Sequence, residues 1–85
     1  MIFEVIVHPK ASKALEKLPK DIANRIKEKL DESQHDPMRY TERLVGIDGF
    51  KIRAGDYRIF VGINFNKNTL EAYSIKHRRE AYKKQ

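Results

Sequence analysis

The chain of 85 residues contains no cysteine, which excludes disulfide frameworks and thiol nucleophiles. Long apolar runs are missing too. The longest fall far short of the ~18 residues that a membrane span requires, so no membrane partner is expected. No charged-then-apolar leader with a small-residue cleavage site is visible, and a cytoplasmic protein is expected. His8, His35 and His77 stand too far apart for a ligand spacing, so neither a metal nor another cofactor is expected. Acid is scarce in one part of the chain. Residues 1–49 carry nine Lys/Arg and nine Asp/Glu, whereas residues 50–85 carry nine Lys/Arg against only Asp56, Glu71 and Glu80. The whole net charge of +6 therefore lies in the C-terminal part. A neutral scaffold with one basic region fits a phosphate-bearing partner, although a charge of this size also serves solubility.

The length allows one domain, residues 1–85, with one modest core. Hydrophobic residues make up 40% and charged residues 35%, the balance of a globular chain rather than a disordered one. "IFEVIVH" at residues 2–8 predicts a strand apolar on both faces, and hence one lying inside a sheet. Leu15, Leu18, Ile22, Ile26 and Leu30 recur at helical spacing. Pro19 interrupts them in a position suited to a new helix start. Two helices, about 10–17 and 19–34, are expected as a hairpin closed by Asp36-Pro37. Residues 35–48 read as a connecting loop. Strands are expected at about 49–54, 57–65 and 69–76, and "RREAYKK" reads as a short basic helix or tail. The fold class is α+β. The order β-α-α-β-β-β-(α) puts a helical hairpin on one face of a mainly antiparallel four-stranded sheet.

The stretch "GFKIRAGDYRIF" carries the chemistry. With Gly55-Asp56 as a two-residue turn, Ala54 faces Tyr57, Arg53 faces Arg58, Ile52 faces Ile59, Lys51 faces Phe60 and Phe50 faces Val61. Ile52, Ile59, Val61, Ile63 and Phe65 then point toward the helices. Lys51, Arg53 and Arg58 point to the open face. Like charges opposed across strands are destabilising, so an anion lying across that face would relieve them. Charge there would also discourage sheet-to-sheet pairing. Tyr57 and Tyr73 read as packed strand residues, and Lys83 and Lys84 as solvated charges that add non-specific phosphate affinity.

The run from Lys51 to Phe60, followed by "KHRREAY" at residues 76–82, resembles the RelE/ParE superfamily of toxin–antitoxin toxins. The N-terminal strand and lysine-rich helices are similar to that family as well, so the likeness covers essentially the whole chain. It implies a RelE-like fold and, for the RelE branch, a ribosome-dependent endoribonuclease that cleaves mRNA in the A site without a metal. The implied partners are a RelB-like antitoxin, the ribosome and mRNA. The implied catalytic residues are Lys51 and Arg53 before the hairpin turn, Arg58 after it, Arg78 after the last strand and Tyr82 near the chain end. Many RelE toxins have lysine where this chain has Arg53, and arginine does not give up its proton, so Arg53 is not expected to act as a base. Glu42 corresponds loosely to a glutamate of a related branch. His77 is a further candidate acid. The alternative is a ParE-type inhibitor of DNA gyrase without nuclease activity.

RNA cleavage of this kind joins the ribose 2′-oxygen to the adjacent phosphorus and expels the 5′-oxygen. Charge grows on the non-bridging oxygens, where fixed cations stabilise it. Arg58 is the leading phosphate ligand, since a guanidinium grips phosphate through two parallel hydrogen bonds. Arg53 and Arg78 add charge, Lys51 is a candidate for proton transfer, and Tyr82 can orient the ribose or stack on a base.

Overall fold

In the computed structural model, which describes residues 2–81, the alternating run around Gly55 folds as the expected hairpin. Its strands are Phe50–Ala54 and Tyr57–Asn64, numbered β3 and β4 below. All five pairs, from Ala54↔Tyr57 to Phe50↔Val61, stand in the expected register. Gly55 has φ +60°. A positive φ at the first central position alone is the type II′ arrangement, whose twist matches that of the strands.

The remaining elements are β1 (Glu4–Val7), α1 (Pro9–Lys17), α2 (Lys20–Ser33), α3 (Pro37–Tyr40), β2 (Glu42–Arg43), β5 (Thr69–His77) and α4 (Arg78–Ala81). The sheet has five strands in the order β1-β5-β4-β3-β2. β1 runs parallel to β5, and every other pair is antiparallel. The fifth strand and the turn of α3 both arise within residues 35–48, read from sequence as loop. Asp36 and Pro37 do follow α2, and Pro37 opens α3 at a position where its missing N–H costs nothing. β2 is two residues long, too short for any periodicity to reveal.

The apolar stripe of the helices and the inward row of the sheet meet in one core. Ile26, Ile52, Ile59 and Leu70 are fully buried there, joined by Phe3, Ala11, Leu30, Ala54, Val61 and Ala72. Leu15, Leu18, Ile22 and Ile63 pack against it. Burying each large aliphatic side chain contributes about 1.5–3 kcal/mol, so these contacts hold the helical layer on one sheet face.

Two expectations about apolar residues are corrected. β1 lies at the sheet edge, not inside it. It was apolar on both faces, yet only the Phe3, Val5 side meets the core, and Ile2 and Ile6 are exposed. Phe65 is also exposed, because β4 ends at Asn64. The Asn64 carboxamide oxygen accepts hydrogen bonds from the Asn66 and Lys67 N–H groups and starts the turn there. Phe65 keeps an edge-to-face contact with Phe3.

β4 and β5 change register between Phe60 and Val61. Phe60 pairs with Ser74 and Val61 with Ala72, so Tyr73 is an inserted residue with no partner. Carried unbroken from Asn64↔Thr69, the register would set Arg58 against Ile75. The bulge sets it against Lys76 and turns Ile75 toward Ile59 in the core. This one residue decides which side chains of β5 share the open face with the hairpin cations.

Candidate active site

Cross-strand partners share a face. On the side away from the helices, Arg53, Arg58 and Lys76 form one row across β3, β4 and β5, and Glu42, Lys51, Phe60 and Ser74 form the next row across β2 to β5. The structure therefore brings Lys51, Arg53 and Arg58 together as expected. It adds Lys76, whose place follows from the Tyr73 bulge, and Glu42, whose place follows from β2.

Each cation has a distinct environment. Arg53 is half-exposed, and its Nε forms an ion pair with Glu42 Oε2 at 2.8 Å. Arg58 departs from the expectation of an open, exposed side chain, as only 7% of its surface is accessible. Its Nη1 donates to the carbonyl oxygens of Gly55 and Tyr57, at 2.9 and 3.0 Å. Its buried Nε has no hydrogen-bond partner among the described residues. The facing arginines thus take separate partners: one swings to a carboxylate on β2 and the other curls onto the turn. A guanidinium tied to the hairpin in this way is held in position, and an unpartnered buried N–H is costly unless an acceptor reaches it.

Arg78 enters from the end of β5. Its backbone N–H donates to the Asp56 carbonyl at 2.6 Å, and its Nε lies 3.8 Å from Asp56 Oδ1. These contacts fasten the start of α4 to the β3–β4 turn, next to Arg58. His77, the further candidate acid, is partly buried. Its ring meets Tyr57 edge-to-face at 5.3 Å, and its Nδ1 accepts from the Arg79 N–H. That tautomer serves the local turn. Tyr57 packs against the core, as expected. Tyr73 does not: it is 45% exposed on the open face. Tyr82 lies outside the described residues.

Among the described residues the arrangement gathers four cations, Lys51, Arg53, Arg58 and Lys76, on one sheet face, with Arg78 docked at its end and a single carboxylate, Glu42, in the rows. Among the described residues no group of His, Asp and Glu could hold a metal ion. No helix among them is long and apolar enough to cross a membrane. A basic sheet face backed by two helices, with Arg58 tied to a tight turn, makes this a small basic-faced α+β domain.

Comparison with known proteins gives that class a family. A family model described as "ParE toxin of type II toxin-antitoxin system, parDE" matches residues 5–82. The chain belongs to this family, within the RelE/ParE superfamily, and is a toxin of the type II toxin–antitoxin class. The fold is similar to that of the RelBE2 toxin–antitoxin complex of Mycobacterium tuberculosis. There the identity is 25% and the TM-score 0.83, over 91% of this chain and 99% of that one. It is also similar to the archaeal RelE–RelB complex of Pyrococcus horikoshii, at 27% identity and a TM-score of 0.77, over 92% and 97% of the two chains. An arginine double mutant of the E. coli toxin RelE, bound to an antitoxin peptide, shares the fold at 24% identity. Its TM-score is 0.76, over 100% of this chain and 99% of that one. Among curated protein sequences, none matches.

Proposed function

We propose that the chain is a metal-independent, ribosome-dependent endoribonuclease that cleaves mRNA in the A site, held in check by a RelB-like antitoxin. The observation that carries this reading is the shared face of Lys51, Arg53, Arg58 and Lys76. A scissile phosphate laid across the Arg53–Arg58–Lys76 row meets cations where its non-bridging oxygens gain charge, and loss of one such donor can cost ~10²–10³ in rate. Arg58, held on the turn through Nη1, contributes its positive charge beneath the phosphate. Arg78 adds charge from the end of β5. Lys51, in the neighbouring row, or Tyr82 is the candidate for moving the 2′-OH proton or protonating the leaving 5′-oxygen. Among the described residues no carboxylate cluster stands at the site to act as a base, so positioning supplies much of the rate. The ribosome provides it by holding mRNA in an in-line geometry.

The second reading is a gyrase inhibitor, favoured by the ParE description of the matching family. It gives the cation row no chemical task, which is why the nuclease reading ranks first. Pulse labelling after induction without antitoxin separates the two. Early loss of methionine incorporation is expected for the nuclease. Early failure of DNA synthesis, with DNA damage, would refute it in favour of gyrase.

A further inference from the structure

The open face has a second half with different chemistry. Past Phe60 the cations give way to an aromatic shelf built on the β5 bulge. The Tyr73 ring lies over Gly62, so close that a Cβ there would stand 2.8 Å from Cε2 and 3.0 Å from the phenol oxygen. One face of the ring meets His8, with centroids 4.6 Å apart and planes tilted by 37°, while its Cε2–Oη edge is the part that approaches Gly62. His8 is fixed in turn by Glu71, to whose Oε1 its Nε2–H donates at 2.9 Å. Tyr73 therefore has a set orientation while 45% of its surface stays open.

Two clefts share this ring and Gly62. One, of about 410 Å³, is bounded by Glu71. The other, of about 440 Å³, is bounded by Phe60, Asp48 and Arg43. The second adjoins the row of Lys51, because Phe60, which lines it, is the cross-strand partner of Lys51. Arg43 stands over the Phe50 ring at its rim, 5.5 Å from the centroid. The volume lies in the range of small-molecule sites. Its walls include the Phe50, Phe60 and Tyr73 rings and the Gly62 backbone. Asp48 offers this cleft a carboxylate that would accept from the exocyclic amine of a neutral ring.

We propose that the cleft between Tyr73 and Phe60 is a nucleobase subsite, in which the base of a nucleotide flanking the bound phosphate stacks on Tyr73. The inference rests on the reading of the cation row as an RNA-cleavage site and extends it. The row holds the backbone, and the aromatic shelf next to it holds a base and sets which nucleotide reaches the row. Stacking of single-stranded bases on aromatic side chains is a common source of affinity and tolerates sequence. The Asp48 carboxylate would add a preference for amine-bearing bases. Tyr73 acts here as a substrate-binding residue, not a catalytic one.

The test uses the full chain and an RNA trinucleotide made uncleavable by a 2′-deoxy sugar, with 2-aminopurine as the reporter base. Wild type and Tyr73→Phe should quench the reporter. Tyr73→Ala should weaken binding on the order of 10-fold, the effect of losing one stacked base, and Gly62→Ala should do the same by pushing the ring off its shelf. Should Tyr73→Ala melt early, Tyr73→Leu repeats the comparison with an apolar side chain that has no ring face. On programmed ribosomes Tyr73→Ala should raise KM and leave kcat within about twofold. Unchanged quenching and KM in an enzyme that still cuts would overturn the subsite and leave the nuclease reading standing. Tyr73-dependent quenching in a protein that never cuts mRNA would support the subsite and sink the nuclease reading. A Tyr73 effect on antitoxin affinity alone would assign the shelf to protein and overturn the proposal.

Discussion

Replacing Arg58 by alanine should lower both stability and cleavage, and the two losses can be separated. Arg58 is buried, and its Nη1 holds the Gly55 and Tyr57 carbonyls of the hairpin turn. Hydrogen bonds from a charged donor contribute about 1.5–3 kcal/mol each, and two that share one nitrogen contribute less than twice that, about 2–4 kcal/mol together. Against this stands the repulsion from Arg53 and Lys76, its cross-strand neighbours. At ~7 Å and an effective dielectric constant of about 40, between those of a protein surface and water, each like-charge pair costs about 1 kcal/mol and the two about 2 kcal/mol, and the Arg53–Glu42 ion pair screens part of it. The net destabilisation is then about 1–2 kcal/mol, equivalent to a fall of roughly 5–15 °C in Tm for a domain of this size. Cleavage should fall much further, by ~10²–10³, at a temperature where both proteins remain folded. Arg58→Lys keeps the charge but loses the planar fork, so it should recover part of the rate. The assay is cleavage on programmed ribosomes, paired with thermal unfolding of each variant. A variant with Ala at this position that melts with wild type and cuts at the wild-type rate would refute both the buried anchor and the phosphate site.

The other expectations are independent of that residue. Glu42→Gln removes an exposed ion pair, so stability should change by no more than about 0.2–1 kcal/mol. RNA affinity should rise as Arg53 is released, and with it the slope of binding against salt; a fall in affinity would show that Glu42 serves the substrate directly. Cleavage should persist in EDTA while the ribosomes are kept intact by other means, and naked mRNA should be cut slowly; rapid cutting of naked mRNA would contradict the positioning argument. An acidic or mixed-charge antitoxin should protect amides in residues 50–81 on binding, since complementary charge favours the basic face. Displacement of α4 would break the Arg78–Asp56 contacts and carry Arg78 away from Arg58. Protection confined to residues 10–34 would show that inhibition acts elsewhere.

The amino-acid sequence by itself determined the parts of this protein that rest on local rules. Period-3.6 spacing gave α1 and α2, and period-2 alternation gave β3, β4 and β5. One Gly-Asp turn set a register in which Arg53 must face Arg58, because a hairpin's pairing follows from its turn. What the sequence left open depends on contacts between distant residues. β1, apolar on both faces, looks interior from sequence, and only its pairing with β5 places it at the edge. Glu42 lies in a two-residue strand that exists because β3 offers it an edge to pair with. Arg58, on an exposed-looking position of a strand, is buried because its guanidinium bends back to satisfy the turn it follows. The Tyr73 bulge has no sequence signature, since an inserted residue in β5 shows only when β4 is laid against it. Yet that insertion moves Lys76 opposite Arg58 and seats Tyr73 over Gly62. Local propensity fixed the strands and their cations, and the cross-strand register, which belongs to two strands at once, decided which of them share a site.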